Sequence, residues 1–144
     1  ARDVAYKYPN YKFIPLSSTC HTFLPGLKGG KMSSSDENSF IALTDSPELA
    51  AKKIKKFAFS GGRETLEEHR KKGGNPDIDV SFQLLKYGLE EDDKKLQGLY
   101  DDYKSGKLLT GDLKKYTIEK LQKFLVDHQK KREKAKKEVK KFLS

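Results

Sequence analysis

Apolar and polar positions change their spacing near residue 45. Before it, apolar residues come singly between turns; after it they recur at helical intervals. Tyr11-Lys12-Phe13-Ile14-Pro15-Leu16 alternates weakly and suits a strand, which Pro15 assigns to an edge or a strand end. Pro25-Gly26-Leu27-Lys28-Gly29-Gly30 has to bend, and the small, polar, glycine-led stretch from Gly29 to Asp36 reads as a mobile surface loop. Asp45-Ser46-Pro47-Glu48 then supplies cap residues, a first-turn proline and an early carboxylate, the start of a helix. In that helix Leu49, Ile54, Phe57 and Ala58 share one face, and Lys52, Lys53, Lys55 and Lys56 cover the other. Thr65-Leu66-Glu67-Glu68 is a capping box opening a second, short helix, which Gly73-Gly74-Asn75-Pro76 ends. Val80, Phe82, Leu84, Leu85, Tyr87 and Leu89 predict a central helix that is apolar almost all round. Leu96, Leu99, Tyr100 and Tyr103 predict a further one, stopped at Ser105-Gly106. A last helix, capped by Thr110, carries the stripe Leu113, Tyr116, Thr117, Leu121, Phe124, Leu125 and His128, continued through Ala135 to Val139, Phe142 and Leu143. The pattern predicts a mainly α chain, with residues 46–144 a compact helical domain and residues 1–45 outside it.

Composition narrows the class. At 144 residues there is room for one ordinary domain, or a small one with a fragment of another. No apolar run approaches the roughly eighteen residues a membrane span needs, so no membrane partner is expected. Eight Phe and seven Tyr argue against disorder. A single cysteine, Cys20, excludes an internal disulfide framework and fits a reducing compartment. The N-terminus shows no charged-then-apolar signal pattern, and a start at Ala1 without Met suggests a processed or truncated chain. Net charge is +9, and residues 111–144 hold twelve Lys and Arg against five Asp and Glu, so seven of those nine charges sit in the last helix. Such a field attracts polyanions, nucleic acid foremost, although a lysine face that is merely solvated has the same composition.

Other chemistries find little support. His21, His69 and His128 lie far apart and no His/Cys spacing suits zinc, so no protein-bound metal is expected. Cys20 beside His21 does not make a nucleophile and its base, because sequence neighbours rarely face each other. Asp92-Asp93 and Asp101-Asp102 read as solvated or first-turn charges, and Tyr100, Tyr103, Tyr116 and Phe124 as core rather than a base-stacking platform.

Lys31-Met32-Ser33-Ser34-Ser35 resembles the KMSKS signature of class I aminoacyl-tRNA synthetases, in a form with serine at the fourth position where many members carry a second lysine. Downstream, Ile41-Ala42-Leu43-Thr44-Asp45, Ala58-Phe59-Ser60-Gly61-Gly62-Arg63, Glu67-Glu68-His69-Arg70, Gly73-Gly74-Asn75, Asp79-Val80-Ser81-Phe82 and Leu109-Thr110-Gly111 follow in order. Together these blocks resemble the C-terminal part of the eukaryotic and archaeal tryptophanyl-tRNA synthetases. The blocks at 58–63 and 67–70 separate it from the tyrosyl enzymes, which share the loop.

The resemblance implies a helical anticodon-binding domain (46–144) preceded by the C-terminal remnant of a Rossmann α/β catalytic domain (1–45) that includes the loop. It implies ATP-dependent activation of tryptophan and transfer to tRNA-Trp, with Mg2+ accompanying the ATP. Lys31 would be the catalytic cation on the departing pyrophosphate, and Lys31, Met32, Ser33, Ser34 and Ser35 the ATP-binding loop. Gly61, Gly62, Arg63 and Glu64 would lie at the anticodon, with glycine amides, an arginine fork and a carboxylate facing RNA. A plain helix-to-helix turn, with Arg63 paired to Glu67 or Glu68, is the alternative for that segment. Members are cytoplasmic homodimers joined largely through the catalytic domain, which leaves the oligomeric state of this chain open. The HIGH-type partner motif is absent from the sequence, so this chain alone is expected to be inactive. A non-enzymatic, basic, helical RNA-binding module is the second reading.

Overall fold

The computed structural model describes residues 2–12, 14, 17–19 and 23–142. α1 (Arg2–Lys7) and a 3-10 turn (Pro9–Tyr11) precede a long irregular segment. Then come α2 (Pro47–Phe57), α3 (Leu66–Lys72), α4 (Val80–Leu84) widening into a π-helical turn (Leu85–Leu89), α5 (Asp93–Lys104) and α6 (Thr110–Val139), which closes in a 3-10 turn (Lys140–Phe142). No strand occurs among the described residues. The strand expected over residues 11–16 is not formed where it can be followed: Tyr11 ends the 3-10 turn, Lys12 has φ +46° and Ile14 is 86% exposed. With no neighbouring strand to take its amides, the alternating pattern has no ladder to join. Phe13, Pro15 and Leu16, like Cys20 and His21, lie outside the described residues.

The helix starts are made by the side chains the sequence offers. Ser46 Oγ accepts from Leu49 N (3.1 Å) ahead of Pro47, and Thr65 Oγ1 accepts from Glu68 N (3.1 Å). Asp92 caps α5 through Lys94 N (3.0 Å) and Lys95 N (3.2 Å). Thr110 departs from expectation. It is the first residue of α6 rather than its cap, and its hydroxyl lies 3.0 Å from the Tyr103 hydroxyl, so it serves the core instead of the helix end.

α6 runs beside two adjoining cores. Ile118, Leu121 and Leu125 pack with Ala50 and Ile54 of α2, Val80 of α4, and Leu27. Nearer its start, Leu113 packs with Phe82, Leu85 and Tyr103. α4 contributes to both cores, which makes it the central helix its all-round apolar pattern predicts, although Tyr87 at its far end is exposed. Leu27 belongs to the irregular segment yet is 3% exposed; its N–H bonds to Ser39 O (2.7 Å) and its carbonyl accepts from Phe59 N (2.7 Å).

Two facing assignments are corrected. Lys53 is not on a solvated face: it is 7% exposed, paired to Asp45 (2.7 Å) and bonded to Phe40 O (3.2 Å), because residues 40–45 fold back over that side of α2. Leu49, assigned to the buried face, is 43% exposed on the first turn. The apolar stripe of α6 also stops packing early. Phe124 is half-exposed, every residue from Lys130 to Val139 is exposed, and Phe142 is 82% exposed, because no described element faces that end. Leu143 lies outside the described residues. No helix among the described residues is long and apolar enough to cross a membrane.

Candidate functional site

The Lys31–Ser35 segment is the tip of a loop with a tied base. On one side Gly26 N–H donates to Gly30 O (2.7 Å) and Gly29 N–H to Gly26 O (2.8 Å), with Gly29 at φ +84°, a conformation only glycine adopts cheaply. On the other side Ser39 is buried. Its Oγ accepts from Ser33 N (3.0 Å) and offers its single proton to Ser33 O (2.9 Å) and Asp36 O (2.7 Å). Lys28 and Asp36 close the base with an ion pair of 2.6 Å; the hydrogen bond from Lys28, helped by the Asn38 N–H, holds the Asp36 carboxyl below its ordinary range. At the tip Lys31 is exposed, and no carboxylate of the described residues lies within 4 Å of it. Met32 and Ser34 are also exposed, and the hydroxyls of Ser33 and Ser35 lie 2.8 Å apart. The arrangement presents one uncommitted cation beside three hydroxyls and backbone amides, chemistry suited to a polyphosphate.

The second segment is built differently. Gly61 is buried; its N–H donates to Asp79 Oδ2 (2.8 Å), its carbonyl accepts from Asn75 N (2.7 Å), and a Cβ there would fall 1.9 Å from Asn75 O. A Cβ on Gly62 would fall 2.2 Å from Thr110 Oγ1. These glycines let two stretches of chain cross, and the amide of Gly61 is not free to face RNA. Arg63 and Glu64 emerge from this turn exposed, with Arg63 Nε bonded to Gly73 O (3.0 Å). Neither comes within 4 Å of an opposite charge among the described residues, although the Glu68 carboxyl, held below its ordinary range chiefly by Lys72, also feels the Arg63 charge. With Leu66, Leu109, Gly111 and Asp112, Arg63 and Glu64 line a cleft of about 340 Å³ at the start of α6.

Sequence reasoning missed what holds this turn. The carboxylate of Asp79, fully buried, accepts from Gly61 N and the Tyr103 hydroxyl (both 2.8 Å) at one oxygen, and from Ser81 N (2.9 Å) and Phe82 N (3.3 Å) at the other. Because Tyr103 donates to Asp79, Thr110 must be the donor in its own contact with Tyr103. Burial pushes the Tyr103 phenol well above its ordinary pKa, so it stays a donor. His69 packs edge-on against the Tyr103 ring at 5.1 Å, and its Nε2 donates to Leu108 O (3.0 Å), which makes it a structural histidine. Asp79 had one readable signal, an aspartate immediately before an apolar helix; its link to Tyr103 had none.

A further carboxylate anchors α6. Glu90, its side chain 4% exposed, accepts from the Tyr116 hydroxyl and from Lys120 Nζ (2.9 Å), and those donors hold its pKa down at about 2.

The loop and the helical body have a counterpart among known families. The model described as "tRNA synthetases class I (W and Y)" matches residues 1–126, and the chain belongs to that family. Within it, the chain is similar to the tryptophan–tRNA ligase of Sulfurisphaera tokodaii, 53% identical over 143 residues that make up 98% of this chain and 37% of that protein. It is also 49% identical over 146 residues to the cytoplasmic tryptophan–tRNA ligase of Homo sapiens, covering 99% of this chain and 30% of that one. Among solved structures, tryptophanyl-tRNA synthetase from Aeropyrum pernix K1 superposes with a TM-score of 0.82 at 41% identity, over 94% of this chain and 37% of that one. The chain thus spans about a third of the length of the relatives it matches. Relatives of this kind do not favour the reading as a plain RNA-binding module.

Proposed function

We propose that the chain is the C-terminal part of a tryptophan–tRNA ligase, supplying the ATP loop and the tRNA anticodon site to an enzyme that acts as a whole. The observation that carries this is the uncommitted Lys31 at the tip of an anchored loop, in a chain about half identical to tryptophan–tRNA ligases. In the reaction the tryptophan carboxylate attacks the α-phosphate of ATP, the bond to the β-phosphate oxygen breaks, and negative charge grows on the pyrophosphate. A cation that reaches this charge chiefly in the transition state raises kcat rather than substrate affinity. That is the role of Lys31. Met32, Ser33, Ser34 and Ser35 shape the loop around the phosphates, and Mg2+ arrives with the ATP. Ser34 adds a hydroxyl where a second lysine would add charge, so a single side chain supplies the loop's cation.

Arg63 and Glu64 take the anticodon, the arginine as a planar donor and the glutamate as an acceptor for a base amine, while Gly61 and Gly62 set their direction. The division we adopt is 1–45 for the end of the catalytic domain and 46–144 for the anticodon domain, in a cytoplasmic, homodimeric whole enzyme. This chain alone does not activate tryptophan. In the whole protein, Lys31→Ala is expected to lower tryptophan-dependent ATP–pyrophosphate exchange about 100-fold or more while tRNA binding survives. Exchange at full rate in that variant overturns the reading.

A further inference from the structure

We propose that the free end of α6 is a second RNA-contacting element, gripping phosphates through Lys130, Lys134, Lys137 and Lys141 at a place remote from the Arg63 cleft. The inference rests on the tRNA-ligase reading and adds to it a surface outside both the loop and the anticodon turn. α6 has thirty residues, a rod of about 45 Å. Its last core residue is Leu125, and its last tether to the body is Gln129 Nε2, which donates to Leu43 O (3.0 Å) and Asp45 O (2.8 Å). Beyond that point every residue through Val139 is exposed. A polar helix end that packs on none of the described elements is open to a partner.

The charges on this end are sorted by side. Asp127 is taken by Lys131 (2.7 Å), and Glu133 by Lys136 (2.6 Å) and Arg132 (3.6 Å). Lys130, Lys134, Lys137 and Lys141 have no carboxylate among the described residues within 4 Å, and Glu138, on the flank of their row, pairs with none of them. Their spacing of i, i+4, i+7 and i+11 puts them on one face within about 60°, the last in the closing 3-10 turn. Asp127 also attracts Lys130, and Glu133 attracts Lys137, at longer range, yet neither carboxylate pairs with them, so the row keeps a net positive field that a polyanion lying along it would neutralise. Lysines in a row are point charges without bidentate geometry, so they read phosphate and not base.

Among the described residues beyond Gln129, the apolar ones opposite this row are Ala135, Val139 and Phe142, with Arg132 among them, too thin an apolar band for a helix that lies in a lipid surface. RNA is therefore the partner the chemistry favours. From Gly111 in the Arg63 cleft to Lys134 is about 35 Å along the rod, so one elongated RNA would be held at two separated points.

The test uses the whole ligase with Lys130, Lys134, Lys137 and Lys141 all changed to Gln, beside a control with Lys131→Gln and Lys136→Gln on the paired side. tRNA binding is measured across a salt series. The expected result is a log K against log [salt] slope shallower by about 3 for the fourfold variant, with KM for tRNA raised about tenfold and kcat less affected, and little change in the control. An unchanged slope in the fourfold variant, with wild-type exchange and aminoacylation intact, overturns the inference alone. An equal loss in the control also overturns it, since bulk charge would then suffice. So does binding to anionic phosphatidylserine vesicles that is lost in the fourfold variant while its RNA slope holds. If the wild type neither exchanges pyrophosphate nor charges tRNA, the ligase reading fails instead.

Discussion

Two segments shaped by glycine, Lys31–Ser35 after Gly29-Gly30 and Gly61–Glu64, carry the candidate chemistry, and they are mechanical opposites. At Lys31–Ser35 the bonds to the rest of the chain lie at the base, and Lys31 stands exposed at the tip with no carboxylate of the described residues within 4 Å. At Gly61–Glu64 the glycines are enclosed, one amide fixed by a buried carboxylate, and only Arg63 and Glu64 emerge. Glycine has separate uses in the two. It permits a left-handed turn at Gly29, and it permits two backbones to touch at Gly61. The roles proposed for them ask for this difference: a loop that reaches a phosphate only as bonds break has to be cheap to move, whereas a turn that aims an arginine has to be expensive to move.

Substitutions sharpen the contrast, beginning with the largest effect. Gly61→Ala puts a methyl into Asn75 O and displaces the amide from Asp79; a loss of about 3 kcal/mol in urea unfolding is expected. A variant as stable as the parent would show that the turn is not locked.

Next comes acid. The pKa of Glu90 is depressed in the folded state, so its contribution is complete above its unfolded value of about 4.5 and is lost as pH falls through about 2. At neutral pH Glu90→Gln should cost about 2 kcal/mol, the worth of hydrogen bonds to a buried charge, and the gap from the parent should close as pH drops across that window. Thermal melts of both proteins at stepped pH measure it; a gap that widens on acidification contradicts the assignment.

The smallest effect belongs to the loop. Nothing lies within 4 Å of a Cβ at Gly30, so Gly30→Ala should leave melting unchanged or raise stability by about 0.5 kcal/mol through the unfolded chain. A clear loss there would make the loop as constrained as the turn.

What the sequence made legible follows the range of the interactions. Caps act over three residues, and Ser46, Thr65 and Asp92 do what their positions suggest. Helical periodicity acts over a few turns, and Ile54, Val80, Leu113 and Leu121 lie in the core accordingly. The surface loop around Lys31 could be read because its turns are local, at Gly29 and between Ser33 and Ser39. Lys53 could not, because its burial depends on a segment that folds back from Phe40 to Asp45. Thr110 looked like a cap because its competing partner, Tyr103, lies a helix away. Gly61 and Gly62 looked like open amides because the crossing at Asn75 and Thr110 is set by tertiary packing alone. The stripe beyond His128 predicted burial because periodicity reports a face without reporting whether anything meets it.

Leu27 has a mechanical consequence. It is a nail driven from the loop's base into the same core as α2 and the middle of α6, so Lys31 has no mount of its own. A displacement of α6 within that core would carry the base of the loop with it. On the role proposed for it, the lysine would approach a nucleotide from a base whose position the helical core sets.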